Sequence, residues 1–131
     1  MITASAPTFR LMADWERTNK CRVLWPYRKD VWRKNAVPAQ ETMSSVVHAI
    51  HELGTEVSVY TKPDLYNSTR GRFPEDISVN RLEYNDIWVR DTGPTYVMND
   101  IIKEVKGIDW NFNAYGGIYK DFADDNNLAR R

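Results

Sequence analysis

The feature that most narrows the possible folds is an apolar run, a helical stripe and a second apolar run set end to end between residues 21 and 60. "CRVLWPY", residues 21–27, is short, apolar and stopped by Pro26, the pattern of a buried strand ending in a loop. After the charged stretch "RKDVWRKNAV", Pro38 suits the first turn of a helix, and Met43, Val46, Val47, Ile50 and Leu53 recur at spacings of three and four. They form one apolar stripe, and Gly54 stands where a residue closing the helix belongs. "TEVSVY", 55–60, places Val57 and Val59 in alternation before Lys62-Pro63, so a strand returns directly behind the helix. A strand-helix-strand unit puts the chain in the α/β class.

Beyond this unit, residues 63–74 are polar and predict a short helix or loop, and "ISVNRLE" at 77–83 predicts a third strand. "PTYVMNDIIKEVKGIDW", 94–110, reads as two strands joined by a tight turn at Asn99-Asp100. Near the C-terminus, "DFADDNNLARR" offers Asp124 or Asp125 as the N-cap of a helix that stops within about two turns. A domain that ends by starting an element is expected to be truncated, with a frayed tail as the alternative.

Charge excludes some partners. Eighteen basic residues balance eighteen acidic ones, so no net field draws the chain to nucleic acid or to an anionic membrane. The longest apolar runs are far too short to cross a bilayer, and "MITASAPTFR" lacks the charged flank and apolar stretch of a secretory signal, so the expected location is cytoplasmic. A single cysteine, Cys21, allows no internal disulfide and no multi-cysteine metal site. With 42% apolar residues over 131 positions, one globular domain is the expectation.

Two polar-aromatic clusters carry the candidate chemistry. In "NDIWVRDTGP", 85–94, Trp88, Arg90 and Asp91 precede a Thr-Gly-Pro stop, which predicts that Trp88 to Asp91 lie at a strand end or in a loop. A carboxylate beside an indole suits a guanidinium or ammonium ligand, because the oxygens accept paired N–H bonds while the ring face attracts the cation. The alternative from residue types alone is that Arg90 pairs with Asp86 or another acid and that Trp88 is core. In "GIDWNFNAYGG", 107–117, Asp109, Asn111 and Asn113 alternate with Trp110 and Phe112 before Gly116-Gly117 permits a sharp turn. That pattern offers a polar face, or simply a two-faced strand ending in a turn.

Taken together, "WVRDTGP" and "GIDWNFNAYGG" resemble the agmatine deiminase family, also described as the bacterial peptidyl-arginine deiminase type, within the guanidine-modifying pentein superfamily. "FRLMADWE" at 9–16 is similar to that family's Phe-Arg-Met-Pro-Ala-Glu-Trp-Glu opening, and "VLWPYRKDVWR" at 23–33 to its Trp-Pro-x-Arg-x-x-x-Trp segment. The likeness runs from about Phe9 to the last residue. It implies a five-bladed α/β propeller of strand-strand-helix-strand blades. Residues 1–131 would then be the N-terminal portion of that propeller domain, its first blade and the start of the next.

The resemblance also implies roles. Asp91 matches the family's guanidinium-binding catalytic Asp and Trp88 the Trp that lines the substrate site. Arg90, Asp109, Trp110 and Asn113 are supporting candidates around them. The implied reaction is hydrolysis of agmatine to N-carbamoylputrescine and ammonia, with no metal and no organic cofactor. A thiolate attacks the guanidinium carbon, a His moves protons and two carboxylates hold the substrate. The family's catalytic Cys follows a glycine-rich stretch near its C-terminus and its His sits in a Gly-His-x-Asp segment; neither motif occurs in these 131 residues. Cys21 takes the place of an ordinary strand residue, and His48 and His51 fall on the helix, toward its exposed side, so the chain alone is expected to be inactive.

The expected partner is a small cationic guanidine, with agmatine first and arginine or peptidyl-arginine as the alternative. No nucleic acid or membrane partner is expected. Open strand edges leave a homo-oligomer among the expectations. A non-catalytic binding remnant is the alternative of another class. The family pattern is departed from at Leu11-Met12, at Arg17 and at Tyr115, where a Trp is frequent.

Overall fold

Valines at matching positions of three strands set the architecture. In the computed structural model, which describes residues 8–131, Val23 lies opposite Val59 and Val59 opposite Val79, a β-branched row across a parallel sheet. The strands are β2 (Lys20–Leu24), β3 (Glu56–Thr61) and β4 (Ser78–Arg81), in the order β2-β3-β4. Helix α1 (Val37–Glu52) connects the first two, as the apolar pattern predicts, and α2 (Tyr66–Arg70) lies between the second and third.

One face of this sheet supplies Val23, Trp25, Val57, Val59 and Val79, which pack with Phe73 and Ile77 beneath Met43, Val47 and Ile50 of α1. The expected stripe is narrower than its spacing suggests. Val46 is 44% exposed and Leu53 86% exposed, because α1 touches the sheet along Met43, Val47 and Ile50 only. The opposite face carries Leu24, buried with Tyr84 and Leu128 beside Tyr27, Leu82, Ile87 and Val89. A parallel sheet covered on both faces explains why β3 is buried almost throughout. At its C-terminal end the buried Thr61 hydroxyl is satisfied by Thr69 at 3.0 Å.

A second, antiparallel sheet has the order β1-β5-β6, with β1 at Arg10–Leu11, β5 at Thr95–Asn99 and β6 at Glu104–Ile108. The predicted hairpin is present, but its connection is four residues long rather than a tight turn at Asn99-Asp100. Asn99 reorganises it: the buried side-chain Oδ1 accepts from the backbone N–H groups of Ile101 and Ile102 at 2.9 and 3.1 Å. Arg10 fastens β1 to this hairpin, donating to Glu16 at 2.6 and 3.0 Å and to Asp100 at 2.5 and 3.1 Å. The two sheets meet where the Arg22 guanidinium donates to the Tyr96 hydroxyl.

The C-terminal helical turn Ala123–Asn126 forms, but neither Asp124 nor Asp125 is its N-cap; Phe122 holds that position without a side-chain bond. The carboxylate of Asp125 faces inward instead. It accepts from the backbone N–H of Asn85 at 2.7 Å and of Asp86 at 3.1 Å. Asn85 reciprocates: its Oδ1 accepts from the N–H groups of Asp124 and Asp125 at 3.0 and 3.1 Å, and its Nδ2 donates to Asp121 at 2.9 Å. This interlock pins the C-terminal segment to the loop that leads into the candidate site.

Candidate functional site

Residues 88–92 do not form a strand end or an open loop. Val89–Thr92 make one helical turn, α3, entered from Trp88. The N–H groups of Asp91 and Thr92 both donate to the Trp88 carbonyl, at 3.0 and 3.1 Å, which places Trp88 and Asp91 three residues apart on the same turn. Gly93 ends it by donating to the Val89 carbonyl at 2.8 Å. A Cβ on Gly93 would stand 2.6 Å from that same oxygen, a backbone atom with no freedom to move aside. Gly93→Ala is therefore expected to push α3 out of place and to lower stability by about 1–3 kcal/mol, read as a fall in the thermal midpoint.

Trp88 is 47% exposed, so it is not a core residue. Its ring lies 6.3 Å from that of Trp32, tilted by 35°. Trp32 precedes three consecutive residues with left-handed backbone, Lys34, Asn35 and Ala36. Arg90 points to solvent and pairs with Asp14 at 3.5 Å, both side chains more than four-fifths exposed, a contact worth little. Asp86, the other partner considered for Arg90, lies instead 3.7 Å from Arg28.

Around Trp88 a small cleft is walled by Arg28, Phe112, Tyr115, Tyr119 and Phe122 and by three carboxylates, Asp86, Asp121 and Asp125. Three acids against one arginine make its lining acidic. Burial pushes the Asp125 carboxyl upward, partly opposed by the N–H bonds from Asn85 and Asp86. Asp91 is exposed just outside this cleft and is joined to it through Tyr115, whose hydroxyl donates to Asp91 Oδ2 at 3.1 Å. The Tyr115 phenol is pushed up to about 12 by lost hydration first and by the neighbouring Asp91 carboxylate second, so it remains a hydrogen-bond donor at neutral pH.

The second cluster divides. Phe112, Ala114 and Tyr115 reach the cleft, whereas Asp109, Trp110 and Asn113 serve the local framework. Regular strand ends at Ile108, which removes the alternation expected beyond it. Asp109 binds Arg130 at 2.5 Å, Trp110 Nε1 donates to Thr95 at 2.9 Å, and Asn113 Oδ1 accepts from the Gly116 N–H at 2.9 Å. Tyr115, Asp86, Asp121 and Asp125 were not singled out as site residues from sequence. For Asp121 and Asp125 the acid-rich "DFADD" run was the available signal, and its capping pattern masked it.

The remaining reactive side chains are engaged elsewhere. Cys21 packs against the core beneath α1, and burial raises its thiol. His48 is half-buried rather than on an open helix face: Nδ1 lies 2.8 Å from the Ser44 carbonyl and the ring stacks on Phe73 at 5.5 Å. His51 Nε2 meets Asp76 at 3.0 Å. Among the described residues no group of three or more His, Cys, Asp or Glu side chains is arranged to hold a metal ion. An exposed carboxylate and indole on one turn are groups suited to a flat cation, while the adjoining cleft has room for little more than a water molecule.

Residues 10–131 match the family described as Porphyromonas-type peptidyl-arginine deiminase. The agmatine deiminase of Pseudomonas aeruginosa is 37% identical over 134 aligned residues, which cover 98% of this chain and 36% of that protein. The solved agmatine deiminase of Enterococcus faecalis superposes with a TM-score of 0.86 at 36% identity, over 93% of this chain and 34% of that one. A substrate-bound C. jejuni agmatine deiminase shares the fold, with a TM-score of 0.77 at 18% identity, over 94% of this chain and 35% of that one. The chain spans about a third of the length of these relatives.

Proposed function

The chain belongs to the Porphyromonas-type peptidyl-arginine deiminase family, and from that premise we propose that it supplies the guanidinium-binding part of an agmatine deiminase-type hydrolase. The observation that carries this reading is the exposed Trp88-Asp91 pair on one rigid turn, beside an acidic cleft. Asp91 accepts the N–H groups of the guanidinium and Trp88 offers its ring face to the delocalised charge. The complete reaction adds water at the central carbon and releases ammonia, turning agmatine into N-carbamoylputrescine. That step needs a thiolate and a proton carrier, and Cys21 is committed to the core. These residues alone bind without turnover. The same proposal assigns them to the first blade, and the start of the next, of a five-bladed propeller.

Agmatine is favoured over arginine by charge. Asp86 and Asp121 at the cleft repel the α-carboxylate that arginine carries and agmatine lacks. Calorimetric titration of the 131-residue chain tests this. Agmatine should bind more tightly than arginine, Asp91→Ala should weaken agmatine by roughly tenfold or more, and Trp88→Ala by roughly threefold. Equal binding by Asp91→Ala and wild type would overturn the reading, and so would wild-type chain that takes up no agmatine. Ammonia release by the isolated chain, lost in Asp91→Ala, would overturn the statement that it binds without turnover.

A further inference from the structure

We infer that Tyr115 is a positioning residue for Asp91: its hydroxyl holds one carboxylate oxygen so that the remaining acceptor sites meet a planar guanidinium. This rests on Asp91 being the guanidinium acceptor. Three independent features of the geometry support it. The first is the bond itself, from Tyr115 Oη to Asp91 Oδ2 at 3.1 Å, joining side chains that are otherwise exposed. A surface carboxylate without such a bond rotates freely, and a fork of two N–H groups needs it fixed. One carboxylate carries about four acceptor positions, so accepting from the phenol still leaves room for a bidentate ligand.

The second feature is the backbone that aims the phenol. Ala114 and Tyr115 have φ of 53° and 55°, followed by Gly116 and Gly117 at 84° and 87°, four consecutive residues in the left-handed region. The glycines adopt it freely; a bulky tyrosine does so only when its surroundings hold it there. The third feature is that hold. Asn113 accepts from Gly116 with its side chain and from Gly117 with its carbonyl, Ala114 is fully buried, and the Phe112 ring meets Tyr115 edge-on at 5.2 Å. The turn is thus over-determined around a residue whose polar end touches nothing but Asp91 among the described residues.

The distinguishing property is directional. A guanidinium requires a carboxylate of set orientation, whereas an ammonium accepts any. The test is calorimetric titration of wild type, Tyr115→Phe, Tyr115→Trp and Asp91→Asn with agmatine and with 1,5-diaminopentane, each variant first matched to wild type by circular dichroism. Tyr115→Phe keeps the ring and its packing on Phe112 and should weaken agmatine by about fivefold, the scale of one ordinary net hydrogen bond, while leaving the diamine unchanged. Tyr115→Trp, which lacks the hydroxyl, should behave in the same way. Parallel loss of both ligands would overturn the proposal, because a structural role predicts it. Unchanged agmatine binding in Tyr115→Phe, with loss in Asp91→Asn, would overturn the Tyr115 role and leave the Asp91 assignment standing. Unchanged binding in Asp91→Asn would remove both.

Discussion

Trp25→Ala is expected to lower the thermal midpoint by roughly 10–20 °C. Trp25 is 2% exposed and directly follows β2, where its N–H donates to the Tyr60 carbonyl at 2.8 Å. Its ring meets Phe73 edge-on at 5.5 Å, and its carbonyl accepts the Tyr84 hydroxyl at 2.5 Å. The residue therefore joins both cores: the ring belongs to the face under α1, and the carbonyl holds the Tyr84 of the other face. Truncation to alanine leaves the backbone bonds and removes the ring, at a loss of about 3–5 kcal/mol. Trp25→Phe should recover part of it. Circular dichroism melts of the three proteins make the comparison, and a shift below about 3 °C for alanine would count against the packing described.

The second large effect is expected at Asp125, and substitution chemistry separates its two contributions. Asp125→Ala strands the backbone N–H groups of Asn85 and Asp86 in a site where Asn85 is 7% and Asp125 4% exposed, a loss of about 2–4 kcal/mol. Asp125→Asn keeps an acceptor oxygen and should lose much less. The pH dependence has a definite sign. Burial raises the carboxyl of Asp125 above its ordinary 3.8, so between 3.8 and the raised value the folded chain holds a proton that the unfolded chain has released. Ionisation of this group consequently removes stability as pH rises through that window. Urea melts on either side of it should show wild type losing ground to Asp125→Asn as pH rises, whereas Asp125→Ala stays below both. A wild type that gains on Asp125→Asn with rising pH would contradict burial as the dominant influence.

These two residues show where sequence pattern was sufficient and where it was not. Val23, Val57 and Val59 announce buried strands because alternation and β-branching are local properties, and the intervening helical spacing requires a parallel return. Trp25 is legible in the same way, as the last apolar residue before Pro26. Asp125 is not. Its position ahead of a short helical run has the composition of a cap, and only the arrival of the 85–86 backbone from forty residues away gives its carboxylate a different set of donors. Val46 and Leu53 fail for a related reason. The period of a helix identifies a stripe, but the width of the neighbouring sheet sets how much of the stripe is covered.

The candidate site divides along the same line. Trp88 and Asp91 stand out as a candidate cation site because a carboxylate and an indole three residues apart carry their chemistry in their types, and the motif around them resembles a known family's. That they share one helical turn, and that the turn accepts nothing larger than glycine at position 93, depends on a backbone closure that no pattern of side chains encodes. Asp109, Trp110 and Asn113, expected only in supporting positions, bond to Arg130, Thr95 and Gly116, and Asn113 thereby shapes the turn that carries Tyr115. Tyr115 stands out in the sequence only as a departure from the family's frequent Trp. Sequence by itself determined the α/β class and the strand-helix-strand unit around α1, because periodicity is a property of single segments; it marked Trp88 and Asp91 as guanidine-binding candidates only through their resemblance to a known family's motif. The tertiary structure alone decided which polar groups meet: Asn85 with Asp125, and Tyr115 with Asp91. Hydrogen bonds act over about 3 Å, and only the folded chain brings residues distant in sequence that close.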